Sequence, residues 1–420
     1  MSNRWRLAAA TLAGAAGLCA PAAGVGVTAA TAAPGMQIGV YDEGETFFGD
    51  LAQVFQRYKE LHVGVLRVNL YWGGKLGVAK SRPFQASDPR DAEYDWALYD
   101  RTVFYAAANG MKVLFSITGT PKWANGGQTP NRPPFNYSQL RDFAYAAAAR
   151  YSGQYIGEDG RTIPGVRLWA AWNEPNNPAF LRPQFVKRGS KWVIQSAISY
   201  AKICNAIYEG IHETLFKNER VACGVTAPRG NNNPNSARPS VSPVAFVTAA
   251  KKAGMKRFDA YAHNPYYGVP TETPTTKPPG TRSGQVPTSI TLANLNVLIA
   301  AVSHLYGPRR FWITEYGYQT RPPDPAFGVS WSDQARYLTE AFAIARRNPR
   351  IDLMLWFLVR DEPNIAGWQS GLMTTDGRKK PAYSAFQRLP RYAVSRLIDD
   401  VDALYRELLA KKGIRETEPA

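Results

Sequence analysis

Short apolar, β-branched runs alternate along this chain with longer stretches in which apolar positions recur at three and four residues. Eight strand-like runs can be placed, at residues 36–40, 63–69, 112–117, 166–172, 221–225, 258–262, 311–314 and 353–358. Several are apolar almost throughout, as strands buried on both faces are. Between them, helical periodicity predicts segments over 137–151, 194–216, 291–306 and 332–346, with Ser332-Asp333 as a helix start and Gly254 and Gly307 as stops. Strands alternating with helices give an α/β fold with a parallel sheet, and eight such repeats close a single-domain (β/α)8 TIM barrel over residues 33–390.

The segments after the strand ends, 120–136, 175–191, 227–243, 267–290 and 319–331, are long and rich in Pro, Gly and Asn. In a barrel these loops crown the face where sites are built. The 267–290 segment, with five prolines, reads as a wall or lid over that face, the alternative being a linker. Residues 394–411 have the pattern of a charged amphipathic helix packed outside the barrel.

The first residues alter the picture. Arg4 and Arg6 precede an apolar stretch from Leu7 to Ala20, Pro21 breaks it, and Ala30-Thr31-Ala32 offers small residues for cleavage. This predicts a signal peptide over 1–32 and a secreted or wall-associated protein, without stable membrane insertion. With 45% hydrophobic and 20% charged residues, the rest can bury a sizeable core. The formal charge of +17 favours anionic surfaces, or serves solubility alone; it names no partner. No nucleic-acid motif is present, so nucleic acid is not an expected partner. Beyond the leader lie Cys204 and Cys223, an even pair that permits one disulfide. Cys204 falls about twelve residues before the predicted helix end, roughly 18 Å along its axis, and a bridge needs Cα atoms within about 7 Å. Two buried free thiols are expected.

Two motifs carry candidate chemistry. Trp172-Asn173-Glu174-Pro175 stands where the fourth strand should end, and Trp312-Ile313-Thr314-Glu315-Tyr316 places Glu315 at the end of the seventh. Three βα units separate them, so in a closed barrel the two carboxyls converge across the mouth. Glycoside cleavage with retention needs such a pair about 5–5.5 Å apart, one protonated and one ionised. A lone Asn-Glu-Pro is often only a turn, as Glu362-Pro363 shows; the second glutamate and the eight-unit pattern give it weight. Histidines show no zinc spacing, and there is no Gly-x-Ser-x-Gly elbow, phosphate loop or dinucleotide fingerprint, so no cofactor is called for.

From about Met36 to Phe386 the chain resembles clan A of the glycoside hydrolases, particularly family 39 and family 5-like members. The resemblance implies Glu174 as acid/base, with Asn173 beside it as a sugar contact, and Glu315 as nucleophile. It further implies Arg67 beneath the nucleophile, His263 and Tyr266 of His263-Asn264-Pro265-Tyr266 as polar substrate contacts, and Trp356 as an aromatic platform. Pro121-Lys122-Trp123-Ala124 is also similar to family 39-like sequences. Trp72, Trp123, Trp356 and Trp368 can line sugar subsites or fill the barrel and rim; Trp123 and Trp356 are the favoured contacts. Together these imply a retaining glycosidase acting on β-linked polysaccharide or oligosaccharide, neutral or anionic. A transglycosylase using the same residues and a non-catalytic polysaccharide-binding protein are the alternatives.

Overall fold

The computed structural model describes residues 35–391 apart from 217 and 280–286. Eight parallel strands, β1 (Gln37–Tyr41), β2 (Val65–Tyr71), β3 (Lys112–Thr118), β4 (Leu168–Ala171), β7 (Arg220–Thr226), β8 (Ala260–His263), β9 (Arg310–Tyr316) and β10 (Ile351–Phe357), follow one another around a closed barrel, with β10 returning to β1. Each matches one of the eight predicted runs within a few residues. An antiparallel hairpin, β5 (Phe185–Arg188) and β6 (Lys191–Ile194), rises from the segment after β4. That segment was expected to be irregular, yet Gly189-Ser190 between two short β-prone runs is a hairpin signal, and Gly189 has φ +59°.

Alternation along the strands decides what fills the barrel. Val65, Leu114, Leu168, Ala170, Ala222, Ala260, Ala262, Trp312, Leu353 and Leu355 point inward and pack together, closing the lower part of the interior. The intervening residues face outward under the helices. At the seam, Asp42 caps the helix Glu43–Phe48 by accepting from Glu45 N at 2.9 Å, and its other oxygen accepts from Val359 N and Arg360 N after β10. One side chain thus starts the first helix and ties it to the segment that follows β10.

The predicted helices form at Tyr137–Arg150, Gln195–His212, Leu295–Tyr306 and Trp331–Arg347. The last is capped by Ser330, which accepts from Asp333 N, rather than from Ser332. Helices Tyr137–Arg150 and Gln195–His212 touch at Gly210, where a Cβ would stand 2.2 Å from Arg141 O, so only glycine permits this approach. No described helix is long and apolar enough to cross a membrane. The predicted signal peptide, the helix at 394–411 and part of the 267–290 segment lie outside the described residues.

The cysteine expectation is overturned. Cys204 and Cys223 form a disulfide with Cα atoms 5.9 Å apart. The axial offset counts the descent of the helix and leaves out the return of the strand. The chain descends the helix after Cys204, turns, and ascends again in β7, so three residues of strand recover most of what eight residues of helix descend. Mid-helix and mid-strand positions therefore meet.

Candidate active site

Above the apolar plug the inward positions become polar. β2 presents Arg67 and Asn69 in line with Val65, and β3 presents Ser116 above Leu114. Beyond the ends of β4 and within β7, Trp172 (φ +69°), Glu174 (φ +37°) and Val225 (φ +45°) adopt left-handed backbone, which non-glycine residues rarely do. Glu174 N donates to Val225 O at 2.8 Å, fixing this turn so that the Glu174 carboxyl faces the mouth. In β9 the register slips: Ile313 pairs with Met354 but Tyr316 with Trp356, leaving one extra residue. This bulge lets both Thr314 and Glu315 turn inward where strict alternation would allow one.

A single guanidinium organises the result. Wholly buried Arg67 donates through Nη1 to Glu315 Oε1 (2.7 Å) and Thr314 O (3.1 Å), through Nη2 to Asn173 Oδ1 (2.9 Å) and through Nε to Ser116 Oγ (3.2 Å). Tyr266 OH donates to the other oxygen of Glu315 at 3.1 Å. Glu174 receives only neutral amides, Asn264 Nδ2 at 3.2 Å and Asn177 Nδ2 at 3.0 Å. Asn264 is oriented by Thr314 Oγ1, which donates to its Oδ1 at 2.7 Å, and its amide also favours the charged form of Glu315. Asn264 thus stands between the two carboxyls across the mouth.

These environments separate the two acids. Burial, then repulsion from Glu315, pushes Glu174 up to about 7, against the pull of its two amides. Burial raises Glu315 as well, but Arg67 and Tyr266 oppose it directly. Of the pair, Glu315 is therefore the one to ionise and Glu174 the one to keep its proton.

Not every predicted contact is at the mouth. His263 is fully buried, with Nδ1 2.8 Å from Thr226 Oγ1 and Nε2 3.0 Å from Ile290 O; burial lowers it to about 4 and keeps it neutral. It faces outward because Ala260 and Ala262 face inward, and the same alternation gives the mouth to Asn264. Trp356 lies outside the wall by the same logic, since Leu353 and Leu355 face inward; it is fully buried and donates through Nε1 to Ser370 O at 3.0 Å. The exposed aromatic at that side is Trp368, packed on Phe357 and Tyr266 with ring centroids 5.4 and 5.1 Å away. Trp123 is half-buried after β3, edge-on to the fully buried Trp72.

The sequence reading missed Glu43. It opens the helix Glu43–Phe48 just past β1, is half-buried, and accepts from Asn69 N and Tyr71 OH, both at 2.9 Å. Burial raises its carboxyl to about 7. Tyr71 also lines a groove of about 480 Å³, with Phe48, Leu76, Pro130, Trp172 and Phe180, that opens beside the mouth. A roomier cavity of about 590 Å³ lies on the barrel flank by the helix Ala97–Ala108 and holds none of these residues; its Asp100 is paired with Arg150. Among the described residues, no cluster of three or more His, Cys, Asp or Glu side chains could hold a metal ion.

Solved structures share this architecture. A family 39 glycoside hydrolase from the gut symbiont Bacteroides cellulosilyticus superposes with a TM-score of 0.59 at 18% identity over 85% of this chain, which spans only 63% of that enzyme. A family 39 β-xylosidase from Caulobacter crescentus gives 0.51 at 17% identity, covering 84% of this chain and 70% of that one. Fungal β-1,4-galactanase gives 0.51 at 14% identity, covering 84% and 99%. No protein-family model and no curated protein matches the sequence. At these identities the chain is similar to the glycoside hydrolases in its fold, a closed (β/α)8 barrel.

Proposed function

We propose that this protein is a retaining glycoside hydrolase acting on β-linked oligosaccharide or polysaccharide. The observation that carries this reading is the unequal support of two facing carboxyls: Glu315 is held by Arg67 and Tyr266, and Glu174 by amides alone. Glu315 attacks the anomeric carbon while Glu174 gives its proton to the departing oxygen. Esterification of Glu315 removes its charge, the pKa of Glu174 falls, and Glu174 then takes a proton from the water that releases the sugar. Glycosidase activity is what similar folds carry in the Bacteroides, Caulobacter and fungal enzymes. The open groove and exposed Phe48 and Trp368 favour an extended glycan over a single terminal sugar. With the leader pattern, the site of action is outside the cell, after cleavage of residues 1–32.

Reducing ends released from neutral and acidic polysaccharides by the mature protein test this, alongside Glu174→Gln and Glu315→Gln. Activity lost in both variants is the expected result. Binding without cleavage, the same in wild type and variants, would leave a polysaccharide-binding protein instead.

A further inference from the structure

The double displacement uses two carboxyls, yet the mouth contains three. Glu43 projects from the first residue after the Asp42 cap, and its backbone position is fixed by that cap. Both of its oxygens are oriented, Oε1 by Asn69 N and Oε2 by Tyr71 OH. Beneath it, the Tyr41 ring packs against Arg67, whose Cζ is 4.4 Å from the ring centroid. Glu43 thus lies over the residues that support the nucleophile, within the field of both Arg67 and Glu315.

The charge balance there is lopsided. Arg67 is engaged through every nitrogen by Ser116, Thr314, Glu315 and Asn173. Among the described residues, no lysine or arginine forms an ion pair with Glu43 or Glu174. A sugar seated on Glu315 therefore meets the oriented oxygens of Glu43 and Glu174, neither of them neutralised by an ion pair among the described residues. A ring hydroxyl can donate to Glu43 when it is ionised or accept from it when it is protonated. A carboxylate on the ring must face a like charge or force uptake of another proton.

We propose that Glu43 is a specificity-determining residue that selects a neutral, hydroxyl-bearing sugar at the ring bonded to Glu315 and rejects a uronic acid there. This rests on the glycosidase reading and narrows it: the basic exterior can draw in an acidic polymer, but the sugar that reacts is neutral.

The test compares 4-nitrophenyl β-glucoside with the β-glucuronide, which differ only at C6, with the β-xyloside and β-galactoside as further neutral probes. At pH 8, where Glu43 is mostly ionised, wild type should prefer the best neutral glycoside to the glucuronide by roughly tenfold or more in kcat/KM, the cost of protonating Glu43 or facing its charge. Glu43→Gln keeps the shape and removes the charge, and should narrow that preference to within about threefold at the same pH while raising KM for the neutral sugar more than it lowers kcat. Tyr71→Phe removes one support but leaves the charge, so the preference should persist as KM rises. An unchanged preference in Glu43→Gln, or a wild type that cleaves the glucuronide as fast as any neutral probe, overturns the inference and leaves the glycosidase reading standing. Failure to cleave any of the four, with Glu315→Gln indistinguishable from wild type on polysaccharides, removes both.

Discussion

Arg67 and Glu315 meet at 2.7 Å inside the barrel, and the same guanidinium reaches Asn173 through its other terminal nitrogen. A planar fork can serve two partners at fixed angles, which a lysine ammonium cannot. Arg67→Lys should therefore keep the charge yet lower kcat/KM on the order of a hundredfold, because the carboxyl and the neighbouring amide lose their mutual alignment. Arg67→Ala should also destabilise the fold, by about 3–5 kcal/mol, since it strands a buried carboxylate. Steady-state kinetics with urea melts of both variants separate the two effects.

On the proposed mechanism, the two carboxyls set the pH profile. Glu174 must be protonated to act as acid, and burial with repulsion from Glu315 places its pKa at about 7. The kcat/KM profile should fall as pH rises through about 7 and fall on the acid side as Glu315 becomes protonated. In Arg67→Lys the acid limb should move to higher pH, because ionised Glu315 has lost part of its support. An acid limb that stays in place would separate Arg67 from the nucleophile's ionisation.

The raised pKa of Glu174 also has a cost in stability. Its folded value lies above its unfolded one, so folding takes up a proton between them, and this contribution is present below the unfolded value and lost as pH rises through about 7. Glu174→Gln carries no such penalty. It should therefore be more stable than wild type at pH 8, by on the order of 2–3 kcal/mol, with the gain shrinking toward pH 5. Denaturant melts at both pH values measure the difference.

Trp356 and Trp368 should respond in opposite ways. Trp356 is sealed between wall and helices, so Trp356→Ala should cost about 3–5 kcal/mol of stability. Trp368 is exposed over Tyr266, so Trp368→Ala should leave the melting midpoint nearly in place and raise KM for oligosaccharides several-fold. Melting curves and kinetics on one substrate distinguish them.

The Cys204–Cys223 bridge closes a short loop, with the two residues 19 positions apart. Chain-entropy arguments give about 3 kcal/mol for a loop of that size. The Cys204→Ala, Cys223→Ala double variant should lose about this much in urea melts, while keeping its kcat because neither sulfur approaches the mouth.

All eight barrel strands were legible because doubly buried strands are apolar throughout, and Glu174 and Glu315 followed from where strands four and seven end. What periodicity did not provide was direction. His263 and Trp356 sit on strands whose alternation turns them outward, while Asn264 and Phe357, their neighbours, turn in. Glu315 comes inward only through the β9 bulge, and Glu174 only through the left-handed turn around it, neither of which leaves a trace in hydrophobic pattern. The disulfide was missed because helix and strand run in opposite senses and bring distant positions level. Glu43 escaped notice because it stands past the end of β1, where alternation is no longer read.

The plug of Val65, Leu114, Leu168, Trp312 and Leu353 makes the barrel a chamber with one door. Nothing passes through its floor, so the departing portion of a glycan and the water that follows share a single doorway. For the double displacement proposed above, this imposes a queue: the leaving group must clear the crown before water can take its place over Glu315. Loops that slow that exit would hold the sugar on the enzyme longer and give a second sugar hydroxyl time to arrive first. On the proposed mechanism, the balance between hydrolysis and transfer falls to exposed side chains at the threshold, such as Phe48 and Trp368, more than to the glutamates below.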